Sequence, residues 1–158
     1  MKKVKFFVIN IILITIDQIF KYYILINKEN LPNNIINGAL NFTYCENRGI
    51  AFGIGQGGAK IFALMTLLMI IVALIYIAFK FNKLKGLTVF GIALVISGGI
   101  GNLIDRLFRG YVIDYIDISQ LIKYPVFNLA DMLIVIGCII ITICIIKDNV
   151  AKKKKVGE

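Results

Sequence analysis

Histidine is missing from this chain of 158 residues. That absence excludes a Ser-His-Asp triad, a Cys-His nucleophile pair and a zinc site built on H-E-x-x-H. Serine is nearly missing as well: Ser97 and Ser119 are the only two, and neither stands in a nucleophile-elbow motif. Cysteine is scarce. Cys45 stands alone, and Cys138 and Cys144 are six apart on a helical stretch and so lie on different faces, which leaves three free thiols expected rather than a disulfide framework. The glycine-rich run "GIGQGG" at Gly53 to Gly58 has no following lysine and no helix signal, so it is not a phosphate loop. No internal repeat is visible, which argues against a transporter built from duplicated halves. Charged residues make up only 17% of the chain. If this protein does chemistry, its few carboxylates are the leading candidates.

Apolar side chains are in excess, at 59% against roughly 45–50% in a soluble domain. Ile61 to Phe79 and Gly86 to Ile104 contain no charged residue, and at about 1.5 Å per helical residue each nearly spans a hydrocarbon core of about 30 Å. Phe6 to Ile26 and Val126 to Ile146 are as long but carry polar residues. The expected fold is an all-α membrane protein: one integral membrane domain over residues 1–158, a bundle of four transmembrane helices at about 6–26, 61–79, 86–104 and 126–146. Outer loops are expected at about 27–58 and 105–125, with a few short strands in the first. The N-terminal "MKKVKFFVINIILITID" has the basic start and apolar run of a secretory signal. Asp17 and Lys21 interrupt the cleavage region and no small-x-small site is near, so it should stay as an anchor.

Charge orients the helices. Lys2, Lys3 and Lys5, then Lys80, Lys83 and Lys85, then Lys147 and Lys152 to Lys155 make eleven of the 18 basic residues, all on one side of the bundle. By the positive-inside rule both termini are cytoplasmic, and the acid-rich loops are extracytoplasmic. These lysines form short juxtamembrane clusters without an aromatic platform, so the expected partner is anionic lipid and not nucleic acid.

A charged side chain at mid-bilayer costs about 2.5–3.5 kcal/mol on insertion scales, so acids in or near the spans need a partner or a task. Asp17 and Lys21 are four apart on the first helix and read as an anchoring ion pair. In "ENRGIAFGI", Asn47 can donate and accept while Gly49 permits a tight turn. Asn102, Asp105 and Arg106 share a helix face just past Gly98, Gly99 and Gly101, which would let a neighbouring helix come close. A helix-end charge cluster explains Asp105 and Arg106 equally well, with Asp105 satisfying Arg106 or Arg109. Asp114 is flanked by Val112, Ile113, Tyr115 and Ile116, an apolar setting that raises a carboxyl pKa. Asp131 has a bland explanation too: Asn128 can cap the fourth helix, and an acid three positions later imitates a capping box.

Taken together, "DQIFK" with Asp17 and Lys21, "NRGIAFG", "GGIGNLIDRLFRGYVIDYID" and "FNLAD" resemble the lipoprotein signal peptidases, the type II signal peptidases of bacteria, in the family's order and over nearly the whole chain. The resemblance implies an aspartic endopeptidase that needs no metal or cofactor. Its catalytic aspartates would be Asp114 and Asp131, with Asn47, Asn102, Arg106 and Asn128 supporting them or binding substrate, and Asp17, Lys21 and Asp105 as structural polar residues. It further implies prolipoprotein substrates, cut on the N-terminal side of a diacylglyceryl-modified cysteine by a monomer in the bacterial plasma or inner membrane, at its extracytoplasmic face. An amphipathic outer loop at 28–58, with Leu40, Phe42, Tyr44 and Phe52, would embrace the substrate. A proton-coupled transporter would spread its acids through the bilayer depth, and a scaffold would leave the joint spacing of these residues unexplained.

Overall fold

In the computed structural model, residues 3–32, 35–49 and 57–156 are described, with side chains as far as Lys152. Lys2, the "IAFG" part of the first-loop motif with Phe52, and the lysines at 153–155 fall outside these residues or side chains. The elements run α1 (Lys3–Ile26), β1 (Asn41–Asn47), α2 (Ala59–Lys80), a 3₁₀ turn (Phe81–Lys83), α3 (Gly86–Phe108), β2 (Val112–Asp117) and α4 (Leu129–Val156). All four helices are long and apolar enough to cross a membrane.

The helix α3 is the hub. In its most apolar stretch 67% of the residues are buried, against 22%, 17% and 22% in α1, α2 and α4, whose outward faces carry residues such as Ile11, Phe79, Met69 and Ile139. In lipid, apolar surface does not drive helices together, so close approach rests on small residues. A Cβ at Gly98 would lie 2.2 Å from the Ala130 carbonyl oxygen of α4, and one at Gly101 would lie 2.5 Å from Asp17 Oδ2 of α1. Gly99 faces Ile70 of α2 with more room. One short glycine run thus seats three neighbours. Ser97 donates to Asn10 Oδ1 (2.9 Å), which gives this serine a packing task between α3 and α1.

The β structure joins the two outer loops rather than lying within the first. Among the described residues that loop contributes one strand, β1, and a single bridge between Ile36 and Leu40; β1 pairs antiparallel with β2, Cys45 opposite Asp114 and Asn47 opposite Val112. Gly110, at φ 80°, makes the turn from α3 into β2. Alternation along β2 then decides direction. Ile113 and Tyr115 pack with Ile24 at the end of α1, joined by Phe42 and Tyr44, so Asp114 between them points the other way. The far edge of β2 is closed by Phe127, whose carbonyl accepts from Ile116 N–H at 2.7 Å. Residues 126–127 are therefore extended, and α4 begins at Leu129 instead of at 126.

Candidate active site

Asn128 is the N-cap of α4, and the expected capping box is present in both directions. Asp131 N–H donates to Asn128 Oδ1 (2.9 Å), and Asn128 N–H donates to Asp131 Oδ2 (3.2 Å). Capping is not the whole role of either residue. Asn128 Nδ2 also donates to Asp114 Oδ1 (2.6 Å) and to Asn102 Oδ1 (3.2 Å), while Asn102 Nδ2 donates to Asp131 Oδ1 (2.7 Å). From β1, Asn47 Nδ2 donates to Asp114 Oδ2 (3.0 Å), and Asn47 Oδ1 takes the Gly49 N–H (3.0 Å). Each oxygen of both carboxylates thus accepts from one amide N–H. Asparagine suits this task because it donates without adding charge.

Asp114 and Asp131 line one cleft of about 610 Å³ between α2, α3 and α4, together with Asn47, Asn102 and Arg106. Much of its wall on α2, α3 and α4 is apolar, including Met69, Ile70, Val95, Ile134 and Val135. Asp114 is 2% exposed. Burial first, then the charge of Asp131, push its carboxyl up to about 7, against the opposing hydrogen bonds from Asn47 and Asn128. Cys45 also borders the cleft, but burial and the charge of Asp114 push its thiol up, away from a nucleophilic thiolate. The three cysteines are free.

Arg106 shares the cleft without an ion-pair partner among the described residues. One terminal nitrogen donates to the Gly49 carbonyl (3.2 Å), and its Nε is buried with no partner. Asp105 pairs with Arg109, not Arg106, and also with Lys21 (3.0 Å). Asp105 and Asp17 therefore belong to a second cluster behind the cleft, centred on the fully buried Lys21, which meets Asp17 at 3.0 Å. Gln18 completes it, donating to the Gly101 carbonyl (3.1 Å) and accepting from Arg109 (3.2 Å). Arg109 is one of the two partners the sequence offered for Asp105, and the structure selects it; Gln18 was not singled out from the sequence, although it stands inside the "DQIFK" motif. Among the described residues, no three His, Cys, Asp or Glu side chains gather as a metal site would need. A wider groove of about 810 Å³ near the lysine-bearing helix ends holds one acid, Asp148, paired with Lys85, and offers no carboxylate pair.

A family model described as "Signal peptidase (SPase) II" matches residues 9–147. The chain belongs to the signal peptidase II family. Members of this family are aspartic-type peptidases. The chain is 39% identical to a lipoprotein signal peptidase of Clostridioides difficile (strain 630), over 89% of this chain and 94% of that one. It is 38% identical to one of Fusobacterium nucleatum, over 92% and 88%, and 37% identical to one of Streptococcus agalactiae, over 94% and 96%. A solved bacterial membrane enzyme, determined by the in meso method at 2.3 Å resolution, superposes with a TM-score of 0.84 at 30% identity, covering 93% of this chain and 90% of that one.

Proposed function

We propose that this signal peptidase II family member removes signal peptides from prolipoproteins with Asp114 and Asp131 as an aspartyl dyad. The observation that carries this reading is the meeting of a buried carboxylate, Asp114, and a half-buried one, Asp131, in one cleft, each oxygen held by a neutral amide, with the cation Arg106 beside them. Two carboxyls sharing a site do not both ionise cheaply, so the pair keeps one proton. The ionised member takes a proton from a water as that water attacks the scissile carbonyl, and the protonated member hydrogen-bonds the developing oxyanion. Collapse breaks the C–N bond, and the proton taken from water passes to the leaving amine. The pair titrates as a unit, and neither aspartate is assigned the proton. No metal takes part.

The relatives' shared name, lipoprotein signal peptidase, supports a lipid-modified precursor as substrate. In this reading the cut falls on the N-terminal side of the diacylglyceryl-cysteine, at the extracytoplasmic face of a bacterial plasma membrane, and the enzyme works as a monomer. The apolar walls of the cleft receive the acyl chains and the signal helix. In this reading Arg106, whose Nε has no partner among the described residues, and Asn102 hold substrate backbone. The test uses purified protein in lipid with a diacylglyceryl-cysteine precursor. Wild type should release the signal peptide with or without a metal chelator, and Asp114→Asn and Asp131→Asn should each lose at least about 10³-fold in rate. Cleavage surviving both substitutions removes the dyad.

A further inference from the structure

We infer that Lys21 is a positioning residue for Asp131, acting through the side-chain amide of Asn102. This role rests on the proposed dyad and goes beyond the ion pair that first-helix spacing suggests. Lys21 is 0% exposed, and its ammonium has three protons to place. Three acceptors take them: Asp17 Oδ2 at 3.0 Å, Asp105 Oδ2 at 3.0 Å and Asn102 Oδ1 at 2.9 Å. Charge balance does not need the third, because Arg109 also pairs with Asp105. Its effect falls on Asn102.

A carboxamide has one accepting and one donating end, and an ammonium only donates. The end of Asn102 that faces Lys21 is therefore Oδ1, which turns Nδ2 toward Asp131 Oδ1 at 2.7 Å. Asn128 agrees with this orientation. Its Oδ1 is held by the Asp131 backbone N–H, so its Nδ2 points to Asn102 Oδ1 and Asp114 Oδ1. With Asn102 reversed, a carbonyl oxygen would face the Asp131 carboxylate and an NH₂ would face the ammonium. The carboxylates that hold Lys21 reach the same segments by backbone. Asp17 Oδ1 accepts from Ala130 N–H (3.1 Å), next to Asp131, and Asp105 Oδ2 accepts from Ile113 N–H (3.1 Å), next to Asp114. Lys21 is thus the counter-ion of two tethers and the orienting donor of the amide between them.

The test compares Lys21→Met with Lys21→Gln, each combined with Asp17→Asn, and takes Asp17→Asn alone as reference. Both double variants leave Asp105 with Arg109, so neither strands a buried charge. They differ in that Gln restores a neutral N–H for Asn102 Oδ1 and Met does not. With a diacylglyceryl-cysteine precursor in lipid, the Met variant should lose roughly tenfold to a hundredfold in kcat with KM unchanged, and the Gln variant should stay within about threefold of the reference. In an added Asn102→Ala background the Met and Gln variants should become equal. Equal kcat in the two double variants, or losses that follow lowered melting temperatures, overturn the proposal. If only the Gln variant folds, its kcat alone decides, and collapse of both assigns Lys21 to the ion cluster only. Cleavage retained by Asp114→Asn and Asp131→Asn would sink the dyad itself, which is a separate outcome from the Met and Gln comparison.

Discussion

At the scale of single residues, Asp114, coupled to Asp131, contributes to the pH behaviour. Its carboxyl is raised from 3.8 to about 7 by burial and by Asp131. An acid that holds its proton more tightly folded than unfolded stabilises the fold below its unfolded pKa, and that stability is lost as pH rises through the folded value. The loss is on the order of 4 kcal/mol between about pH 4 and 7. The apparent thermal midpoint of the protein in detergent should therefore fall across this window, and Asp114→Asn should flatten the fall. Hydrolysis should show an alkaline limb near pH 7, where the pair loses its shared proton; a pH–rate profile flat to pH 9 would contradict this. The apolar neighbours of Asp114 made its raised pKa legible in the sequence. Asn47 and Asn128 were named only through the family resemblance, and spacing could not say that they donate to its two oxygens, since Asn47 lies in another loop and Asn128 past the end of β2.

Among the elements, α4 is placed by its first turn. Asn128 both caps the helix and holds Asp114 and Asn102. Replacing it with Ala should cost about 1 kcal/mol as a lost cap and abolish hydrolysis. Asn128→Asp separates the two functions, because aspartate is as good an N-cap but brings a third carboxylate to the pair. Its melting temperature should stay near wild type at about pH 5, where the added carboxyl can keep a proton, while its rate falls at least about a hundredfold; an equal fall in melting temperature at that pH would tie capping to catalysis. The contact of α3 with α4 depends equally on Gly98, where a Cβ would stand 2.2 Å from the Ala130 carbonyl oxygen. Gly98→Val should cost about 1–3 kcal/mol of stability by overpacking, read as a lowered thermal midpoint. It should also depress activity, since it pushes on the residue before Asp131. The capping box was readable from spacing alone, because N-cap and N3 are local. That Gly98 serves α4 and Gly101 serves α1 was not, because a glycine run does not say which neighbour approaches it.

Across the whole molecule, four helices long enough to span would put both termini on one side of a membrane, and we propose from the lysine clusters that this side is the cytoplasm. A periplasmic-type alkaline phosphatase fused after Glu158 should then be inactive, and one inserted at Ser119 should be active; the reverse pattern would invert the topology and move the cleft to the other face. The transporter alternative predicts acids spread through the bilayer depth. Asp17, Asp105, Asp114 and Asp131 instead meet at one end of the bundle, in two adjoining clusters linked by Lys21 and Asn102.

Membrane residence, four apolar helices and the asymmetry of positive charge were determined by the sequence alone, because transfer into lipid is decided residue by residue and helical hydrogen bonds close within each span. The family pattern likewise named Asp114 and Asp131 as candidates before any geometry. Only the tertiary structure decided that Asp105 serves Lys21 and Arg109 while Arg106 stays in the cleft, and that β1 crosses to pair with β2. These choices depend on the register of α1 and α4 against α3 and on which end of each amide faces its neighbour. Such partners are set by packing between segments distant in the chain, where a one-residue slip would point every one of these side chains elsewhere.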